Sequence, residues 1–308
     1  MSAALNVAIA GGPYALAAGP DGAMWVTLVH AGAIARVTNG GDVTVYPIGP
    51  QSRPSIITAG PDGAMWFTRT GDDRIGRITM AGELAEFGLA EGSGPFGITA
   101  GADGALWFTA MTSGDIGRIS VDGELSGWPS VGSAPSMIVT GPDNALWFTL
   151  NQGNAVGRLA PADGITVREL PTAGAGPVGI TATHDDAVWF TEILAEKLGR
   201  IPMDDAIQEV DLPGKPHAVV ADPDDGVWVS LWGSNQIARG SGDGSEVVTI
   251  DLPPGSEPHG LAIGPDGAPW VSAGVGVRAA HAHLTAGNTR IKLADMRHVL
   301  AASGLAVG

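Results

Sequence analysis

A chain of 308 residues can bury a sizeable core, and one closed β architecture can account for that length without a second domain. Its 16 basic against 32 acidic residues leave a formal net charge of -16, which repels nucleic acid and anionic membranes and speaks against a phosphate-tracking function. The absence of cysteine excludes disulfides, thiolate metal sites and a cysteine nucleophile.

The first residues, MSAALNVAIAGGPY, have no basic stretch ahead of their short, broken apolar run, so they do not read as a secretion signal. No apolar run approaches membrane-spanning length, and a soluble cytoplasmic monomer is the expectation. From Pro13 onward a repeat dominates. Seven tryptophans (Trp25, Trp66, Trp107, Trp147, Trp189, Trp228 and Trp270) follow one another at 39 to 42 residues, while Trp128 and Trp232 lie off the ladder. Twelve residues before each stands a proline: Pro13, Pro54, Pro95, Pro135, Pro177, Pro216 and Pro258. In the third copy, PFGITAGADGALWFT, a first strand runs over 97–100 and Asp103-Gly104 makes a tight turn into a second strand over 106–109. Ile116-Gly117-Arg118-Ile119 starts a third, and Asp122-Gly123 turns the chain into a weaker outer strand. Four strands per period of about 40 residues, seven times over, predict an all-β, seven-bladed β-propeller with the tryptophans between blades.

Residues 4–10 precede the first ladder proline, where every other unit carries its outer strand. They are expected to complete the last blade and close the ring, removing two sheet edges. The propeller then spans 1–285 as a single domain, and 286–308, which fit the repeat poorly, read as a tail or a short external helix.

In such a ring, equivalent positions of the innermost strands share one end of the channel. The residues after the ladder prolines are Tyr14, Ser55, Phe96, Ser136, Val178, His217 and His259. Two histidines in consecutive units, with a tyrosine next around the closed ring, depart from the small or apolar filling that structure alone requires. A second row, three residues after each tryptophan, reads Leu28, Arg69, Ala110, Leu150, Glu192, Leu231 and Ala273. The richest local constellation is Glu257-Pro-His259, with Lys215-Pro-His217 one blade earlier. Neutral histidine suits a general base or a divalent metal, and a carboxylate suits Mg²⁺; both histidines also fit a purely structural role, bonded to backbone carbonyls. His281 and His283 form a further pair outside the regular repeat. The aspartates Asp72-Asp73, Asp185-Asp186 and Asp224-Asp225 sit where turns are expected, and no helix follows the GPDG turns to make a phosphate loop.

The P-x-G-I…GPDGALWFT…IGRI unit, together with KPHA at His217 and EPHG at Glu257–His259, resembles the streptogramin B lyases over about residues 5–280. That resemblance implies a Mg²⁺-dependent carbon–oxygen lyase that linearises cyclic depsipeptides by elimination at the ring ester. It assigns His259 as general base, His217 as a second proton-handling or orienting group, Tyr14 as a substrate contact and Glu257 as a Mg²⁺ ligand. The large apolar ring of such a substrate makes Phe96, Val178, Leu231 and Trp232 expected contacts. The family's second Mg²⁺-binding glutamate falls at Ala273, which has no donor; Glu192 keeps the W-x-x-E pattern, but two blades away. Two other readings stay open: a non-catalytic propeller presenting its rim to a small molecule or protein, and a lactonase-like hydrolase using a divalent metal. The scarcity of channel carboxylates opposes the second.

Overall fold

The computed structural model describes residues 5–127, 130–160, 163–203, 206–274, 276–279 and 290–292, with only the backbone of the last group and of Arg278 and Ala279. The second strand of each repeat, such as MWVTL at Met24–Leu28 or LWFTA at Leu106–Ala110, is buried on both faces, as a strand between neighbouring sheets must be. The outer strands, such as VTVYP at Val43–Pro47, are largely exposed. Seven antiparallel sheets result, with strands pairing with their neighbours in the chain except for the N-terminal strand and Arg290–Lys292. This is the seven-bladed β-propeller expected from the repeat.

Blade one comprises Pro13–Ala18, Met24–Leu28, Ala33–Val37 and Val43–Pro47, and the pattern recurs through blade six. Blade seven takes Leu261–Ile263, Pro269–Ala273 and Gly276–Ala279, and its outermost strand is Asn6–Ala8, with Val7 opposite Val277. The N-terminal strand thus closes the ring. Arg290–Lys292 pair as a fifth strand on the outer edge of blade six, where the sequence led to a tail or helix. The rest of 286–308, with Trp128, His281 and His283, lies outside the described residues. Among the described residues the only helical piece is the 3-10 turn Trp232–Ser234, and no helix is long and apolar enough to cross a membrane.

The core lies between blades. All seven ladder tryptophans are 5 % exposed or less, and Trp25 packs against Ile57, Met65 and Phe67 of the following blade. The turn aspartate four residues earlier accepts the indole N–H at 3.0–3.3 Å in five copies, from Trp25 on Asp21 to Trp270 on Asp266. In four of these an arginine of the third strand reaches the same carboxylate at 2.6–2.7 Å: Arg36, Arg77, Arg118 and Arg158. The aspartate of the GPDG turn therefore shapes the hairpin and also satisfies the buried indole.

A second repeated device positions the channel. Two residues after each ladder tryptophan stands a hydroxyl: Thr27, Thr68, Thr109, Thr149, Thr191, Ser230 and Ser272, all fully buried. Each donates at 2.5–3.1 Å to the carbonyl of the residue after the ladder proline in the next blade, and Ser272 completes the circle on Tyr14 at 2.6 Å. In six blades the first strand shifts register between the proline and the third residue after it. The bulge frees the carbonyl from its own ladder and re-aims the adjoining side chain toward the channel.

Candidate active site

Tyr14, Phe96, Val178, His217 and His259, five members of the expected ring, line one channel cavity. The cavity is predominantly apolar, with Leu16, Ile57, Ile98, Met137, Ile180 and Val219 contributed by blades one to six in turn. Above it a wider mouth, lined by Tyr14, Phe96 and His259, adds Ser55, Glu257, His30 and Arg53. Ser136 is 1 % exposed, and Ser55 is buried with its hydroxyl 2.7 Å from that of Thr70.

The imidazoles are held by rings rather than by carboxylates. His259 has Tyr14 at 5.4 Å between centroids, His217 edge-on at 5.4 Å and Trp232 stacked at 6.0 Å. Lys215 sits over the other ring of this assembly, its ammonium 5.7 Å from the Trp232 centroid. His217 Nδ1–H donates to the His259 carbonyl at 3.1 Å. A carbonyl only accepts, so Nδ1 of His217 carries the proton and Nε2 holds the lone pair. Burial first, then the neighbouring His259, push the His217 imidazole down to about 4. Burial also lowers His259, with the Glu257 charge pulling against it and His30 adding to it. Both rings are consequently neutral at neutral pH. The Tyr14 phenol is pushed up to about 12 by burial and remains a hydrogen-bond donor.

Two orphaned atoms mark this corner: His259 Nδ1 and Trp232 Nε1 are buried and find no hydrogen-bond partner among the described residues. Buried polar atoms are ordinarily satisfied, and these two are exceptions. Glu257 is exposed at the mouth, and its backbone N–H is fixed by the Asn235 side chain at 3.0 Å.

One expectation changes. Leu231 is fully buried in the core between blades, because the side chains of the second strand's last residue pack laterally, and it does not line the channel cavity. In the same row, Arg69 is consumed by ion pairs with Asp72 and Glu86, and Glu192 is sealed from solvent. Ala273, 4 % exposed, brings no donor, and among the described residues no three His, Cys, Asp or Glu side chains gather as metal ligands. His30 and Arg53 were not singled out from the sequence. Arg53 had a legible signal: it occupies, in blade two, the position before the ladder proline that Glu257 occupies in blade seven.

The chain matches the Virginiamycin B lyase family over residues 3–280. It belongs to that family. A virginiamycin B lyase of Mycolicibacterium smegmatis is 75 % identical over 272 residues, 88 % of this chain and 96 % of the relative. One from Mycobacterium sp. (strain KMS) is 81 % identical over 218 residues, 71 % of this chain and 78 % of that protein. Among solved structures, virginiamycin B lyase from Staphylococcus aureus superposes with a TM-score of 0.84 at 36 % identity, covering 90 % of this chain and 98 % of that one. A catalytically inactive histidine-to-alanine variant of the Staphylococcus aureus enzyme with quinupristin gives 0.83 at 35 % identity, covering 90 % and 99 %. Membership in the virginiamycin B lyase family makes this protein an enzyme of the lyase class.

Proposed function

We propose that the protein inactivates type B streptogramins, cyclic depsipeptides, by eliminating across the ester that closes their ring. The observation that carries this reading is His259: a neutral imidazole with an unsatisfied nitrogen, walled by Tyr14, His217 and Trp232 at the mouth of an apolar channel. The relative that crystallised with quinupristin as an inactive histidine-to-alanine variant supports a histidine at the centre of the chemistry.

In this reading His259 takes the proton from the carbon α to the carbonyl of the residue whose side-chain oxygen closes the ring. The electron pair forms the Cα=Cβ bond, the Cβ–O bond breaks, and the acyl oxygen leaves as a carboxylate. No water enters, so product and substrate have the same mass. His217 orients the base, because its Nδ1–H holds the His259 carbonyl. Phe96, Val178 and Tyr14 bind the apolar ring.

For Mg²⁺ the donor set is a single open carboxylate, Glu257. This suits a hard cation that keeps most of its waters, and not a cage built from protein ligands. Held there, the ion would polarise the substrate carbonyl and ease removal of the α-proton.

The test is mass spectrometry of a type B streptogramin incubated with the protein and Mg²⁺, with and without chelator. An opened product of unchanged mass, lost on chelation, is expected. A product heavier by one water would replace the lyase with a hydrolase, untouched substrate would leave a binding propeller, and turnover indifferent to chelator would remove the metal.

A further inference from the structure

We propose that Arg53 is a substrate-contacting residue of the mouth, whose guanidinium receives the carboxylate released when the ring opens; this rests on the ester-opening function proposed above. The position before the ladder proline has positive φ in six of the seven copies: Gly12 (+73), Arg53 (+43), Gly94 (+56), Ala134 (+51), Gly176 (+60) and Glu257 (+42). A residue before proline ordinarily takes extended backbone, and a side chain resists the left-handed region that glycine enters freely. Three blades use glycine there. Blade four uses Ala134, and two carry a long charged side chain into the strained conformation, Glu257 and Arg53, both of which line the mouth with His259 and Tyr14. Strain kept at a cavity rim points to a task for the side chain that causes it.

The surroundings of Arg53 agree. Around the ring, Gly12 separates it from Glu257 and Gly94 follows it, so neither neighbouring position crowds the space between the two charges. Its stem lies against Gly71, where an added Cβ would fall 2.9 Å from Arg53 Cγ. The third-strand arginines Arg36, Arg77 and Arg118 each sit on a carboxylate, yet Arg53 makes no ion pair among the described residues, in a chain with 32 acidic side chains. An exposed, permanently charged fork that is unpaired at the rim is available to a ligand.

Ring opening by elimination converts an uncharged ester into a carboxylate. As the Cβ–O bond breaks, the departing oxygen gains the electron pair, and a fixed cation on its side of the mouth gains attraction in step. Arg53 interacts weakly with the ester and strongly with what the ester becomes, which is the differential that speeds a reaction. Its planar donors suit both carboxylate oxygens.

The experiment compares affinities of two ligands, the intact type B streptogramin and its ring-opened acid, by calorimetry at low salt in a His259→Ala background, so that the intact ring survives the titration. Wild-type Arg53, Arg53→Gln and Arg53→Gly are measured in that background. Loss of a charge-assisted pair is expected to weaken binding of the opened acid by about tenfold or more while the intact ring is bound within about twofold of wild type. Arg53→Gly relieves the positive φ and should melt no lower than wild type, so its loss of product affinity is not a folding defect. Equal losses for both ligands, or none for the acid, overturn the assignment. If wild type opens the ring but product affinity ignores Arg53, only this proposal falls. If wild type leaves the ring closed, the functional reading falls and this proposal with it.

Discussion

The channel has two unlike sides on one repeating frame. Blades six, seven, one and two bring His217, His259, Tyr14 and Ser55 to the ring, with Lys215, Glu257, His30 and Arg53 above them. Blades three to five bring Phe96 and Val178 to the ring, and in the rest of the cavity both arcs are apolar, with Leu16, Ile57, Val219 and Leu261 on one and Ile98, Met137 and Ile180 on the other. The backbone does not distinguish the two arcs: Thr109 holds the Ser136 carbonyl on the apolar side just as Ser272 holds that of Tyr14 on the polar side. The frame sets where each ring residue sits, and chemistry is then a matter of which side chain stands there.

The largest effect that separates the arcs is expected at the proposed base, His259. His259→Ala is expected to lower kcat/KM for ring opening by about three orders of magnitude, the middle of the range for a general base, with thermal melting close to wild type. Val178→Ala, the matching change on the apolar arc, is expected to leave kcat within a few-fold. Comparable losses from both would abolish the distinction. The pH profile sharpens it. His259 is lowered, so wild-type activity should persist as pH falls past the usual imidazole value of 6.5 and be lost only on further acidification through its own depressed value. Over the same range stability falls, because the unfolded chain takes protons near 6.5 that folded His217, pushed down to about 4, refuses.

The frame was legible in the sequence because it is repeated seven times. Prolines and tryptophans at constant separation located every blade, and the same count located Tyr14, His217 and His259 at one end of the channel. The hydroxyl row that pins those residues was equally visible, as Thr or Ser two residues after each tryptophan, but it looked like ordinary strand composition. Lateral direction was not legible. Leu231 is adjacent in sequence to Trp232, yet it packs between blades while Trp232 stacks on His259. His30 follows the second strand of blade one, outside any repeated polar row, and only the folded chain places it at the mouth with Glu257. Arg53 was overlooked because its row, Gly12, Arg53, Gly94, Ala134, Gly176, Lys215 and Glu257, keeps no constant residue type.

The apolar arc also hides a charge that the channel does not use. Blade two carries Arg69, Arg74 and Glu86 where blade five carries Glu192, Lys197 and Glu209. In blade two the ions pair, Arg69 with Asp72 and Glu86. In blade five Lys197 is drawn to Asp211 at 2.9 Å and Glu209 at 3.7 Å, and the Glu192 oxygens are buried without a hydrogen-bond partner among the described residues. Burial, then the charge of Glu209, push the Glu192 carboxyl up to about 7 from an ordinary 4.5, against the opposing pull of Lys197. A carboxyl that holds its proton more tightly when folded contributes stability that is complete below its unfolded value and is lost as pH rises through its folded one. Glu192→Gln should therefore gain on wild type between pH 5 and pH 8, by on the order of 2 to 3 kcal/mol. Chemical denaturation of both proteins across that range reads the gap. A gap that does not widen with pH would mean that Glu192 is ionised in the fold and paired.

The smallest expected effect tests whether the apolar arc grips without reacting. Phe96 stands edge-on to Tyr14 at 6.4 Å and lines both the channel and its mouth, so it is the aromatic that joins the two sides. Truncation to alanine removes apolar contact in the bound substrate and in the transition state alike. Phe96→Ala should raise KM by about tenfold, the order expected for one buried aromatic contact, and leave kcat near wild type. A fall in kcat at unchanged KM would place Phe96 on the reacting side, since only a contact made in the transition state alone behaves that way. The arcs would then divide the mouth between Phe96 and Val178, and the positioning of Tyr14 by its aromatic neighbour would become part of the chemistry.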